Sequence, residues 1–159
     1  MKPTSSRRIL RIKVLQVLYA HEIAKEPVEK IKRDLLPDIT DPENYKFVSD
    51  LIDTVLKNAN YVDELIENKI TNWEFDRVAL IDKIVLRMGL TEILYFPEIP
   101  PKVSINEAIE ISKEYCTNQS GKFVNGILDS LLQEFIKENK IHKQGRGLLD
   151  IKKRQQDEK

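Results

Sequence analysis

Arg7, Arg8 and Arg11 crowd the start of the chain. On a helix, at about 100° per residue, they share an arc of about 100°. Positive side chains near a helix N-terminus oppose its dipole and cost roughly a few tenths of a kcal/mol each, so helix stability does not account for them. A phosphate backbone would, because arginine's planar fork pairs its N–H groups with phosphate oxygens or a guanine edge. A solvated basic helix end, or salt bridges to acidic residues further along, would place the same side chains there. Tyr19 lies about 80° round from Arg11, just beyond the arc. There it could stack on a base, or rest half-buried with its hydroxyl at the rim.

A second group follows the polar turn Thr117-Asn118-Gln119-Ser120-Gly121, where Lys122, Phe123 and Asn125 supply a charge, an aromatic face and an amide. Phe123 alone would read as core. Catalytic constellations are missing: the sequence has no glycine-rich phosphate loop, nucleophile elbow or HExxH motif. Asp76 and Asp82 could suggest paired carboxylates, yet six residues of helix turn them about 240° apart. The single cysteine, Cys116, cannot staple the fold, and with only His21 and His142 beside it there is no metal-ligand spacing. A small buried hydrophobe suits Cys116 better than a nucleophile. The expectation is a non-enzyme without metal or cofactor.

These residues need helices to position them, and apolar residues recur at three- and four-residue steps throughout, with no alternating strand pattern. The class is all-α. The spacing predicts a first helix from Ser5 or Ser6 to about Ile23, apolar nearly all round and so central. A second runs from about Val28 to Leu36, stopped by Pro37. Asp41-Pro42-Glu43 opens a long third helix to about Ile70, with the aspartate as cap and the proline at the first helical position. Its apolar stripe begins with Phe47 and Val48. A fourth helix spans about Asp76 to Tyr95. Ser104-Ile105-Asn106-Glu107 matches a capping box and predicts the fifth helix from there. The sixth carries the stripe from Phe123 to Ile136. After Lys140 the periodicity fades, and residues 140–159 read as a charged, mobile tail.

Composition fits one domain: 159 residues, 41% hydrophobic and 33% charged, leave room for a real core beneath an ionised surface. The net charge of zero is distributed unevenly. Residues 1–33 carry nine Lys/Arg against three Asp/Glu, residues 34–110 seven against sixteen, and residues 111–159 ten against seven. Such asymmetry suits an adaptor with two unlike partners, although sequence zones mix on a folded surface. No apolar run approaches the roughly 20 residues of a membrane span, and the N-terminus lacks a secretory pattern. A cytoplasmic location is expected.

Read as motifs, the chain resembles the NusB family. The stretches that carry the resemblance are Met1-Lys2-Pro3, Arg7-Arg8-x-x-Arg11-x-x-Val14-x-Gln16-x-Leu18-Tyr19 and Asp82-Lys83-x-Val85-Leu86-Arg87. They continue in Pro101-Lys102-Val103-Ser104-Ile105-Asn106-Glu107-Ala108 and Ser120-Gly121-Lys122-Phe123-Val124-Asn125-Gly126-Ile127-Leu128-Asp129. The resemblance implies a NusB-like domain over residues 1–139, six to seven helices in two three-helix halves, about 1–70 and 71–139, packed as one bundle. It implies a transcription antitermination factor that pairs with the ribosomal protein NusE and binds boxA RNA. The complex keeps RNA polymerase processive, notably on ribosomal RNA operons.

By the same resemblance Arg7, Arg8 and Arg11 would meet RNA, helped by Lys2, Arg87 and Lys122. Tyr19, Asp76, Asp82 and Phe123 would face the protein partner. The chain departs from the family at Leu10 and Ile12, where small and acidic residues are usual, so this side of the first helix is greasier and a homodimer could follow. It also has Asn118-Gln119 where an acid is usual, which should favour phosphate binding. NusB-like modules fused to ribosomal RNA methyltransferases would share these motifs; the chain length is expected to leave no room for such a catalytic domain.

Overall fold

The computed structural model describes residues 6–70 and 77–157, and all regular structure among them is helical. Eight helices follow one another: α1 Ser6–Ala24, α2 Val28–Leu35, α3 Pro42–Lys57, α4 Ala59–Lys69, α5 Leu80–Tyr95, α6 Pro101–Tyr115, α7 Asn118–Lys137 and α8 Arg146–Asp157. None is long and apolar enough to cross a membrane. The chain divides into two compact units, one up to Lys57 and one from Asn58 onward. The expected boundary near residue 70 is therefore displaced. The expected third helix is two, because the chain turns at Asn58, and α4 packs with α5 and α7.

In the first unit α1 packs on α2 and α3. Val14, Val17 and Leu18 of α1 meet a core that includes Ile31, Leu36, Val48, Leu51, Ile52 and Val55. The Asp41 carboxylate accepts from the Glu43 backbone N–H at 3.3 Å, the cap expected from sequence. Lys32 is buried beneath its charge partners, donating to Asp53 at 2.7 Å, Ser49 at 3.0 Å and Glu29 at 3.2 Å. That network ties α2 to α3.

In the second unit the apolar all-round helix is α5, whose buried residues run from Asp82 through Ile93. Gly89 lets α7 approach: a Cβ there would lie 2.8 Å from Leu128. The expected capping box is not formed. Helix α6 begins at Pro101, three residues earlier, and Ser104 is buried with its hydroxyl donating to the Glu92 carboxylate at 2.9 Å. Proline at the first helical position sets the start, and the serine serves the core instead.

The C-terminal segment also departs from expectation. Residues Arg146–Asp157 form α8, which packs on α6. The buried Lys143 ammonium donates to the carbonyls of Glu92 at 3.0 Å and Phe96 at 2.7 Å, closing the open end of α5. Asp150 accepts the Lys102 backbone N–H at 3.0 Å, capping the first turn of α6. The Gln144 N–H donates to Pro97 at 2.9 Å, and Gly147 is required there, since a Cβ would come within 2.8 Å of the same carbonyl.

Burial pushes the Lys143 ammonium down to about 8, against the smaller opposing pull of Glu92 and Asp150. Between pH 8 and the ordinary lysine range near 10.4 the unfolded chain holds a proton that the folded chain has released, so stability rises with pH. In thermal melts from pH 7.5 to 10, the wild type is expected to gain steadily on Lys143→Met, which cannot titrate. A gap that stays constant or narrows with pH would remove this account of the lysine.

Candidate nucleic-acid interface

The arginines share a face of α1 as expected, but it is the packed face. Taking Arg7 as the origin, Arg11 lies about 40° round and Arg8 about 100°. On the same turn count Val14, Leu18 and Leu15, all buried, bracket Arg11 at roughly 340°, 20° and 80°. Arg11 is accordingly only 4% exposed. The three arginines therefore differ in burial: Arg7 is exposed, Arg8 is half-buried at the border, and Arg11 is enclosed.

What Arg7 and Arg11 meet on α3 is Phe47. The guanidinium carbon of Arg7 stands 4.0 Å from the ring centroid, and that of Arg11 5.5 Å. One turn apart on α1, the two cations converge on a single aromatic ring. Sequence reasoning had placed Phe47 in the apolar stripe and missed this contact. The only signal available was an aromatic residue heading an otherwise aliphatic stripe.

Beside the arginines α1 carries an open apolar strip. Ile9 is 49% and Ile23 61% exposed, Tyr19 is exposed and Ile12 half-buried. By turn count the four lie within about 80°, starting just past Arg8. Leu10, expected to add to the greasy side, is buried in the core instead, because it lies on the Val14 and Val17 side.

In the second unit, Lys122 is exposed and Phe123 half-buried at the start of α7. Thr117 caps this helix by accepting the Ser120 backbone N–H at 3.1 Å. Two residues expected to face partners are engaged within the unit. Asp82 is 6% exposed, and its Oδ2 accepts from the Ser120 hydroxyl at 2.8 Å and the Cys116 thiol at 3.8 Å. It thus ties the start of α5 to the α6–α7 corner. Arg87 donates through Nε and Nη2 to the two oxygens of Asp63, at 2.7 and 3.0 Å, a bidentate pair between α5 and α4. Both were read as surface residues because sequence does not reveal which charges a neighbouring helix satisfies. Lys2 and Asp76 lie outside the described residues.

No group of three or more potential metal ligands occurs among the described residues. The arrangement offers polyanion binding: an exposed cation held over an aromatic ring keeps N–H donors for phosphate.

The model of the NusB family matches residues 8–133, which ends before α8. The transcription antitermination protein NusB of Chloroherpeton thalassium is 45% identical over 148 residues, covering 92% of this chain and 70% of that protein. Among solved structures, NusB of T. maritima superposes with a TM-score of 0.77 at 37% identity, covering 82% of this chain and 92% of that one. A crystal structure of the antitermination factors NusB and NusE in complex with double-stranded RNA contains a chain with a TM-score of 0.74. At 23% identity over 80% of this chain and 96% of that one, it speaks for the fold alone.

Proposed function

The chain belongs to the NusB family, and from that premise we propose that it is a transcription antitermination factor binding boxA RNA jointly with the ribosomal protein NusE. As part of the RNA polymerase antitermination complex it keeps the enzyme processive, notably on ribosomal RNA operons, in the cytoplasm. The observation that carries the RNA half is Arg7, exposed on α1 with its guanidinium held over Phe47. Arg7 and Arg8 contact the RNA backbone, with Arg11 supporting that surface from within the first unit; Lys122 and Lys2 are further cations, and Arg87 acts through the α4–α5 pair it holds. Tyr19 and Phe123 face NusE, joined by Asp76, while Asp82 acts through the α6–α7 corner it holds.

The test is fluorescence anisotropy of a labelled boxA RNA with and without NusE across a salt series. Weak binding alone and tighter binding with NusE are expected, because two proteins share the cost of ordering the RNA. Each phosphate contact on a single strand contributes about −0.7 to the slope of log K against log salt. A flat salt dependence, or no gain from NusE, would remove the proposal.

The strip of Ile9, Ile12, Tyr19 and Ile23 favours a second reading, a homodimer closed through α1. Sedimentation separates the two, since an apolar dimer persists or strengthens as salt rises whereas RNA binding weakens.

A further inference from the structure

Resting on the RNA-binding reading above, we infer that Phe47 is a positioning residue for RNA recognition, its ring acting as the platform that orients Arg7, with Arg11 as the second cation on the same ring. Phe47 belongs to α3 and the arginines to α1, so the contact crosses between helices of one unit rather than following from local sequence. The centroid distances of 4.0 and 5.5 Å both lie inside the range, about 6 Å, at which a cation is drawn to an aromatic face.

The geometry divides the labour of the Arg7 guanidinium. Its central carbon sits 4.0 Å from the ring centroid, and the N–H donors directed away from the ring stay available to an anion. An arginine without such support explores many rotamers and must be ordered on binding, at a cost of roughly 0.5–1.5 kcal/mol per side chain, or about two- to twelve-fold in affinity. The enclosed Arg11 adds a reason for an aromatic residue rather than an aliphatic one. A leucine at position 47 would fill similar space but offer neither guanidinium a π-face, so Arg7 would lose its orienting contact. Phosphate then meets an arginine already held in place.

The experiment compares wild type, Phe47→Leu and Phe47→Trp, each with NusE, for affinity to labelled boxA RNA. Circular dichroism melts report folding, and ¹⁵N spectra report the arginine Nε–H groups. Phe47→Leu is expected to stay folded and bind roughly two- to twelve-fold more weakly, and Phe47→Trp to recover most of the loss. The Arg7 Nε–H proton, ring-shifted in the wild type, should move toward its free position in Phe47→Leu. Unchanged or increased affinity in Phe47→Leu overturns the inference, as does an equal loss in both variants, which marks a packing defect. An Arg7 signal indifferent to the substitution overturns it too, whatever the RNA does. If the wild type itself fails to bind boxA RNA, the functional reading falls first and this inference with it. If the wild type binds and only the Phe47 comparison fails, the functional reading stands.

Discussion

Alanine at both Arg7 and Arg8 is expected to weaken boxA RNA binding by the NusE-bound protein about ten- to a hundred-fold at roughly 0.1 M salt. It should also flatten the salt slope by about 1.4, the share of two single-strand phosphate contacts. The reasoning starts from burial: Arg7 is exposed and Arg8 half-exposed at the edge of α1, so both can reach a phosphate without moving the core. The protein should still fold, since neither side chain belongs to the buried core. Arg11→Met provides the contrast. It keeps the buried stem's volume and removes an enclosed charge. Its effect on the salt slope should be below that of one full contact. If Arg11→Met matched the double variant in affinity and slope, Arg11 would have to emerge to meet RNA, and the burial seen here would not describe the bound state.

How much of this was legible beforehand depends on whether the cause was local. The all-α class, the limits of α1 and α2 and the Asp41 cap rest on periodicity, proline and capping within a few residues, and these held. The Arg7, Arg8 and Arg11 arc was also visible. Its orientation was not, because α1 is apolar nearly all round and the turn count alone does not say which side meets α3. Asp82 and Arg87 show the same blindness. Their partners, Ser120 and Asp63, lie 38 and 24 residues away, beyond any spacing rule. Ser104 is the opposite case, where a local motif was present but lost. Its hydroxyl found Glu92 on the neighbouring helix, and proline at position 101 supplied the helix start.

The C-terminal segment tests that distinction most severely. Removing residues 141–159 is expected to lower the thermal midpoint of the protein by about 5–15 °C, equivalent to roughly 2–4 kcal/mol for a chain of this size. Periodicity that fades after Lys140 and a highly charged end make this segment read as mobile, and Ile151 is indeed the one large apolar side chain that α8 buries. Its hold is polar and long-range. Lys143 satisfies two carbonyls at the end of α5, Asp150 caps α6, and Arg154 reaches Asp129 of α7 at 3.3 Å. Deletion leaves the carbonyls of Glu92 and Phe96 without the Lys143 donor, and each such loss costs about 1–3 kcal/mol. None of these contacts involves Arg7, Arg8 or Phe47 of the first unit, or Lys122 of the second. The truncated protein should therefore keep its RNA affinity within about two-fold at a temperature where it remains folded. An unchanged midpoint would make α8 an appendage that stabilises nothing. A midpoint lowered as expected together with a large loss of RNA affinity would instead place this segment in the recognition surface, and the basic residues Arg146, Lys152 and Lys153 would be the first to substitute.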